Sequence, residues 1–293
     1  MSPRAPAGLP EAVLVDGRSG GEVSVIERGL HYGDGLFETL ACVGGAPRLL
    51  ALHLKRLLEG CRRLALRPPE AAQLTAEIAS LARGSERAVL KLLVTRGPAQ
   101  ARGYAANGEE PGTRILLRYP WPKEDERLSQ EGVRVRLGEL RLGENPALAG
   151  LKTLNRLEQV LARFEWSTPA IAESLLFSSG GDLVGGTAAN VFLVRDGQLQ
   201  TPRLDRCGVA GVMREAVTLA AQRAHIALEK RPLTRLDLDA AQEIFLTSAL
   251  IGVRPVRELA GRTLPVGPVT RRLQQELGPL LRNEAQLPLG EGA

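Results

Sequence analysis

The stretch GLKTLNRLEQ, residues 150–159, sets a lysine ahead of an apolar helical repeat in a chain that otherwise uses lysine sparingly. Downstream of Lys152, the residues Leu154, Leu157, Val160, Leu161 and Phe164 recur at helical spacing, and Asn155 with Glu158 three positions on has the form of a capping pair. Lys152 is therefore expected just before a helix N-terminus. The partial positive charge of such an end disfavours an ammonium and lowers its pKa, more so if the amine is partly buried. A neutral amine is a nucleophile, able to form a Schiff base with a carbonyl carbon. The alternative is a solvated loop lysine.

Three further groupings offer chemistry. In CGVAGVMREAV, residues 207–217, two glycines precede a helix, so the backbone N–H groups of Gly211, Val212 and Met213 can point outward and hold a phosphate dianion; an ordinary glycine turn is the alternative. Arg56 falls on a helix starting near residue 50, three positions after His53, where a guanidinium can contact phosphate in bidentate fashion or simply face water. TRGPAQARGY, residues 95–104, places Arg96 and Arg102 around a Gly/Pro loop near Tyr104, either as ligands for substrate carboxylates or as solvent arginines. No metal is expected: His31, His53 and His225 never pair at ligand spacing, and no Gly-x-Ser-x-Gly, Walker or dinucleotide signature occurs.

The chain that must position these groups has 293 residues, 44% of them apolar but only 3% aromatic, so an aliphatic core of Leu, Ala and Val is expected. The net charge of +5 is spread over single arginines rather than runs, which favours an anionic small molecule over nucleic acid. Cys42, Cys61 and Cys207 are odd in number and far apart, against a disulfide framework and in keeping with a reducing cytoplasm. No stretch reads as a secretory signal or a membrane span.

Strands and helices alternate. AVLVDG and GEVSVIERG read as strands about an Asp-Gly turn, and FETLACVGGAPRLL as a strand pair about Gly-Gly. Leu50, Leu54, Leu57, Leu58, Cys61 and Leu64 mark a helix, AAQLTAEIASLARG a second, and ERAVLKLLVTRG and GTRILLRYPWP two strands, the first of a kind buried on both faces. Further strands are expected in GVRVRLGEL, AESLLFSSGGDLVGG, NVFLVRDGQLQTP and EIFLTSALIGVRPV, with helices at about 155–165, 211–224 and 268–282. Residues 1–118 form a small N-terminal α+β domain with a loose lead-in over 1–11, YPWPKEDERL (119–128) a linker, and 129–293 a second domain ending in the tail LPLGEGA.

Taken in order, ERGLHYGDGLFETL (27–40), HLKRL (53–57), LKTLNRLEQVLAR (151–163), TAANVF (187–192) and TPRLDRCGVAGVMRE (201–215) resemble the fold-type IV pyridoxal-phosphate enzymes, from about residue 12 to 282. That family includes branched-chain and D-amino acid aminotransferases and 4-amino-4-deoxychorismate lyase, and NPALAGLK with LNRLEQVLAR looks like the lyase branch. The resemblance implies an α+β fold in which a small N-terminal domain and a larger barrel-like C-terminal α/β domain enclose pyridoxal 5'-phosphate, in a homodimer. It implies that Lys152 is the Schiff-base lysine and Arg56 a phosphate ligand. The backbone of Gly211, Val212 and Met213 becomes the phosphate cup, with Asn190, Ser248 and Ala249 also on the cofactor, while Tyr32, Thr39, Arg96, Arg102 and Tyr104 face substrate.

One departure bears on function. Where the family has Glu-Gly-[Thr/Ser]-x-x-Asn, with the glutamate paired to the pyridine nitrogen, this chain has Gly185-Gly186-Thr187-Ala188-Ala189-Asn190. Losing that carboxylate weakens the electron sink. Transamination needs the sink in both halves of its cycle, whereas expulsion of pyruvate from aminodeoxychorismate also gains an aromatic ring. The expected function is thus a lyase giving 4-aminobenzoate and pyruvate for folate synthesis, with an aminotransferase as the alternative and a cofactor-binding protein without turnover as a third reading. Asp182 is a candidate replacement acid, and Gly185→Glu is expected to raise turnover.

Overall fold

The computed structural model describes residues 8–123 and 126–282. The chain divides into two compact units, one holding the chain up to Lys123 together with Lys152–Asn155, the other holding the remainder.

The first unit begins with β1 (Ala12–Val15) and β2 (Arg18–Ser19), joined by Asp16 and Gly17 at φ 49° and 78°, the double left-handed turn that suits strand twist. After helix α1 (Arg28–Tyr32), β3 (Gly35–Val43) and β4 (Ala46–Pro47) flank Gly44-Gly45, a turn of the same type. Helices α2 (Leu50–Arg63) and α3 (Ala71–Ala82) precede β5 (Arg87–Thr95) and β6 (Thr113–Pro120). The strands form an antiparallel sheet in the order β2-β1-β6-β5-β3-β4. Alternation along β3 and β5 sends Leu36, Leu40, Leu90, Leu92 and Val94 into a core against Leu57 and Cys61 of α2 and Leu74 and Ile78 of α3. The opposite face, with Phe37, Thr39, Lys91 and Leu93, stays half-buried, so β5 is not enclosed on both sides as its apolar run predicts.

The second unit contains α4 (Leu128–Glu131), β7 (Val133–Leu142), α5 (Leu157–Arg163), β8 (Glu173–Ser178), β9 (Leu183–Gly186), β10 (Asn190–Arg195) and β11 (Gln198–Pro202). It continues with α6 (Val212–Arg223), β12 (Leu228–Arg231), α7 (Arg235–Ala240), β13 (Glu243–Ser248), β14 (Gly252–Leu259), β15 (Arg262–Thr263) and α8 (Pro268–Arg282). A mixed sheet runs β12-β11-β10-β13-β14-β7-β8-β9, with β15 on β14. Val133, Leu175, Leu193, Ile244, Leu246 and Val256 fill its core, and Phe192 stacks on Phe245 across β10 and β13 at 5.0 Å. Helices α6 and α8 pack on one another and on β13.

Several expectations are revised. GEVSVIERG contains no strand beyond an isolated bridge at Glu27, and Val25 is 80% exposed. Tyr119 and Pro120, at the start of the expected linker, still belong to β6, while residues 124 and 125 of that linker, residues 1–7 of the lead-in and the tail LPLGEGA lie outside the described residues. The helix after Lys152 starts only at Leu157 with Arg156 as its N-cap, and no side chain caps it. Asn155 instead donates to the Gly33 carbonyl at 3.2 Å, and Glu158 accepts from the Gly143 N–H at 2.7 Å. The apolar stripe of that helix is not core: Leu157 is 69% and Phe164 78% exposed, with only Ala162 buried.

Candidate active site

Lys152 lies on a segment laid antiparallel against the start of β3. The Phe37 N–H donates to the Lys152 carbonyl at 2.9 Å and the Leu154 N–H to the Gly35 carbonyl at 3.0 Å, with Leu36 and Thr153 bridged between them. Glycine makes this approach possible. A Cβ on Gly33 would stand 2.5 Å from the Asn155 side chain, and one on Gly35 would stand 2.6 Å from the Val94 carbonyl oxygen and 2.9 Å from Leu154. The Lys152 amine is held at 4.3 Å from the centre of the Phe37 ring, on the half-open sheet face. Four residues separate it from Leu157, the first residue of α5, so it does not sit directly at that helix start.

Glu38, next along β3, points the other way into the core, where it accepts from His53 Nδ1 at 2.6 Å and is gripped in bidentate fashion by Arg56, with Nε at 2.8 Å. Burial would raise the pKa of Glu38, but the His53 hydrogen bond and the Arg56 charge outweigh it and bring the carboxyl to about 2. Arg56, the expected phosphate ligand, is thus oriented by a carboxylate that sequence reading left without a role. The His53/Arg56 spacing of three on one helix was the available signal.

Asp34 joins two arginines. Arg96 gives it Nε at 2.8 Å and a terminal N–H at 3.2 Å, and donates also to the Leu64 and Ala65 carbonyls. Four of its five N–H donors are so engaged, and the side chain is buried; a structural tie replaces the expected substrate contact. Arg28, which sequence reading missed for want of any local signal, bonds Asp34 at 2.9 Å and the carbonyls of Gly103, Tyr104 and Ala105. It thereby fixes the loop carrying Arg102 and Tyr104, both exposed, with the Tyr104 ring 5.2 Å from that of Tyr32. Thr39 is half-buried on the same face as Phe37.

In the second unit, Gly150, two residues before Lys152, exchanges backbone bonds with Gly208 and Ala210, each at 3.0 Å. These bonds hold the loop that enters α6. Asn190 pins that loop, accepting from the Gly211 N–H at 3.1 Å and donating to the Val209 carbonyl at 2.8 Å. Gly211 therefore spends its N–H inside the protein, contrary to expectation, and Asn190 is a support for the loop. The Val212 and Met213 N–H groups, in the first turn of a twelve-residue helix, have no acceptor among the described residues. Asn190 lies opposite Thr247, so Ser248 and Ala249, half-buried at the end of β13, close the same corner. A Cβ on Gly211 would stand 2.1 Å from Asn190 Oδ1, so only glycine lets the helix start come so near. Two outward amides at a positive helix end are the donor set a phosphate dianion requires, and pyridoxal phosphate fits these residues.

Residues 35–259 match amino-transferase class IV. The chain belongs to that family. It is 31% identical over 267 residues to an aminodeoxychorismate lyase of Vibrio harveyi, covering 90% of this chain and 98% of that one. It is 30% identical to a putative branched-chain-amino-acid aminotransferase of Methanocaldococcus jannaschii, covering 87% and 90%. The crystal structure of 4-amino-4-deoxychorismate lyase from Pseudomonas aeruginosa superposes with a TM-score of 0.88 at 48% identity, covering 92% of this chain and 100% of that one.

At the family's departure, Gly185 is buried, and a Cβ there would stand 2.9 Å from the Ala189 carbonyl oxygen. The Gly186-to-Ala189 turn closes over the place a side chain would leave from. Asp182 sits in the turn between β8 and β9, its N–H bonded to Ser178 Oγ at 3.3 Å. The acid that reaches the Gly186–Ala189 turn is Glu173, which accepts from the Thr187 N–H at 2.9 Å, the Thr187 hydroxyl and the Ala188 N–H at 3.1 Å. Its carboxylate is used to hold backbone.

Two measurements follow. With Glu38 at about 2 against an ordinary 4.5, its stabilisation is complete above pH 4.5 and disappears as pH falls toward 2. Across that window the unfolding free energy should drop by about 3 kcal/mol more in the wild type than in Glu38→Gln, as read by denaturant titration. At the departure, Gly185→Ala and Gly185→Glu should each lose about 1–3 kcal/mol of stability through the Ala189 clash. The glutamate variant should nonetheless turn over roughly tenfold faster than the alanine variant, the yield of one charge-assisted contact; equal rates would remove any role for an acid at 185.

Proposed function

We propose that the chain is a pyridoxal-phosphate-dependent lyase that splits 4-amino-4-deoxychorismate into 4-aminobenzoate and pyruvate, in folate synthesis. The observation that carries this is the likeness to a 4-amino-4-deoxychorismate lyase along that protein's whole length, at an identity well above that to the aminotransferase relative. The cofactor is pyridoxal 5'-phosphate. When bound, it supplies an electron sink for the carbon that bears the substrate nitrogen.

This chain's residues do the rest. The Val212 and Met213 amides and Arg56, aimed by Glu38, hold the phosphate, with Ser248 and Ala249 beside it. The Lys152 amine takes the proton from the amine-bearing ring carbon and returns one as the enolpyruvyl group departs and the ring becomes aromatic. Arg102, Tyr32, Thr39 and Tyr104 line the substrate side, the loop of Arg102 and Tyr104 steadied by Arg28. Aromatisation drives the step that the missing acid at 185 would otherwise assist.

The exposed side of α5, with Leu157, Val160, Leu161 and Phe164, supports a homodimer in which a second copy covers it. All three cysteines are unpaired thiols, which supports a cytoplasmic setting. Among the described residues no helix is long and apolar enough to cross a membrane.

Purified protein with cofactor should release 4-aminobenzoate from aminodeoxychorismate and show no comparable amino transfer from branched-chain amino acids to 2-oxoglutarate; the reverse pattern would establish the aminotransferase. Lys152→Ala should lower turnover by about 10²–10⁴-fold or more, and borohydride should fix the cofactor on residue 152 of the wild type. Light scattering should give twice the chain mass for the wild type and the single mass for Leu157→Asp/Phe164→Asp.

A further inference from the structure

Three arginines are buried among the described residues: Arg28, Arg96 and Arg214. Arg28 and Arg96 share the Asp34 carboxylate. Arg214, 7% exposed, has no ion pair among the described residues, and its hydrogen bonds go to neutral acceptors. Its Nε donates to Thr201 Oγ1 at 3.2 Å and a terminal N–H to the Pro202 carbonyl at 2.8 Å. The neighbouring Glu215 favours the charged guanidinium, but its side chain is 48% exposed and lies 3.8 Å from Lys230. Burial outweighs that acid and lowers the Arg214 pKa.

The position is unfavourable for a cation on two counts. Arg214 is the third residue of α6, in the turn whose free N–H groups give that end of the helix a partial positive charge, where acids are favoured and bases are not. Taking a guanidinium out of water without a paired anion is costly as well. Yet the side chain is held firmly. The Gly211 N–H donates to Asn190 Oδ1; the carbonyl of the next residue, Val191, accepts from the Thr201 hydroxyl at 2.9 Å; and Thr201 Oγ1 accepts from Arg214, three residues on from Gly211. This closed ring fixes the guanidinium against the same turn that presents the Val212 and Met213 amides. Both penalties are offset when a dianion sits at those amides.

Resting on the phosphate seat proposed above, we infer that the Arg214 guanidinium supplies fixed positive charge behind the Val212 and Met213 amides, so that the seat prefers a doubly charged phosphate to an uncharged group. Arg214 is a positioning residue: two of its donors are turned to Thr201 and Pro202, and it acts on the phosphate through its field. A buried charge is little screened by water or salt, so the effect reaches beyond direct contact.

The full chain, freed of cofactor, is titrated with pyridoxal 5'-phosphate and with pyridoxal, which lacks the phosphate, each followed by its absorbance. The ratio of the two dissociation constants isolates the share of binding that the phosphate provides. In Arg214→Gln, polar but uncharged, this preference for the phosphorylated form should fall roughly tenfold to 100-fold, while the pyridoxal constant itself moves by less than about threefold. Arg214→Lys, which keeps the charge and loses the planar fork, should retain most of the preference. An unchanged preference in Arg214→Gln, an equal loss for pyridoxal, or a preference in Arg214→Lys as low as in Arg214→Gln overturns the inference. If the wild type binds both forms equally, the phosphate seat fails and Arg214's role with it; if the wild type and Arg214→Gln favour the phosphorylated form to the same degree, the seat stands and only the role of Arg214 fails.

Discussion

The antiparallel contact between the Lys152 segment and the start of β3 is the constraint on which the site depends. Two backbone hydrogen bonds, Phe37 to Lys152 and Leu154 to Gly35, fix the lysine's main chain, and they form only because Gly33 and Gly35 present no side chain to the approaching strand. A flexible four-carbon side chain on a free loop would lose several rotamers' worth of entropy on finding one geometry. Here its root is already fixed and its amine already lies on an aromatic ring. The motif His-Tyr-Gly-Asp-Gly-Leu-Phe is therefore a backbone requirement first, and a chemical one through its phenylalanine.

From that strand the alternation of a β-ribbon divides the labour. Phe37 and Thr39 face the open side with Lys91, while Glu38 faces the core and aims Arg56. A buried carboxylate holding a histidine and an arginine is costly to desolvate, and its worth lies in geometry: it gives a guanidinium one orientation instead of many. Asp34 does the same for Arg28 and Arg96, and through Arg28 for the Gly103–Ala105 backbone. Much of what distinguishes this site is therefore carried by acids that never need to meet the substrate.

The sequence disclosed the parts governed by local periodicity and little of what depends on pairing across the chain. The long helices, β1 before the Asp-Gly turn and the strands flanking Gly-Gly were legible because turn chemistry and apolar spacing act over a few residues; the strand expected in GEVSVIERG was not there. β12 was not, since Leu228–Arg231 is a mostly charged edge strand placed by parallel pairing with β11, and α7 is only six residues long, though its Thr234/Asp237 capping box was there to be seen. The Leu157-to-Phe164 stripe was legible as apolar, but periodicity cannot tell a side that faces the chain's own core from one left exposed. Arg96 read as a ligand because it opens a Gly/Pro loop; its pairing with Asp34, 62 residues away, has no sequence signal. Lys152 and the α6 start carried the family pattern, while the use of Gly211's N–H by Asn190 required coordinates.

The loss of the family glutamate is built into the local backbone. With no side chain at 185, the Ala189 carbonyl comes within 2.9 Å of where a Cβ would be, Gly186 leaves room for the Glu173 carboxylate, and that carboxylate holds the Thr187 and Ala188 N–H groups of the turn. Such a site has less power to stabilise a carbanion by charge at the ring nitrogen, and so suits a reaction whose product supplies its own driving force. Elimination that ends in an aromatic ring is such a reaction, and reversible amino transfer between two keto acids, nearly balanced in free energy, is not.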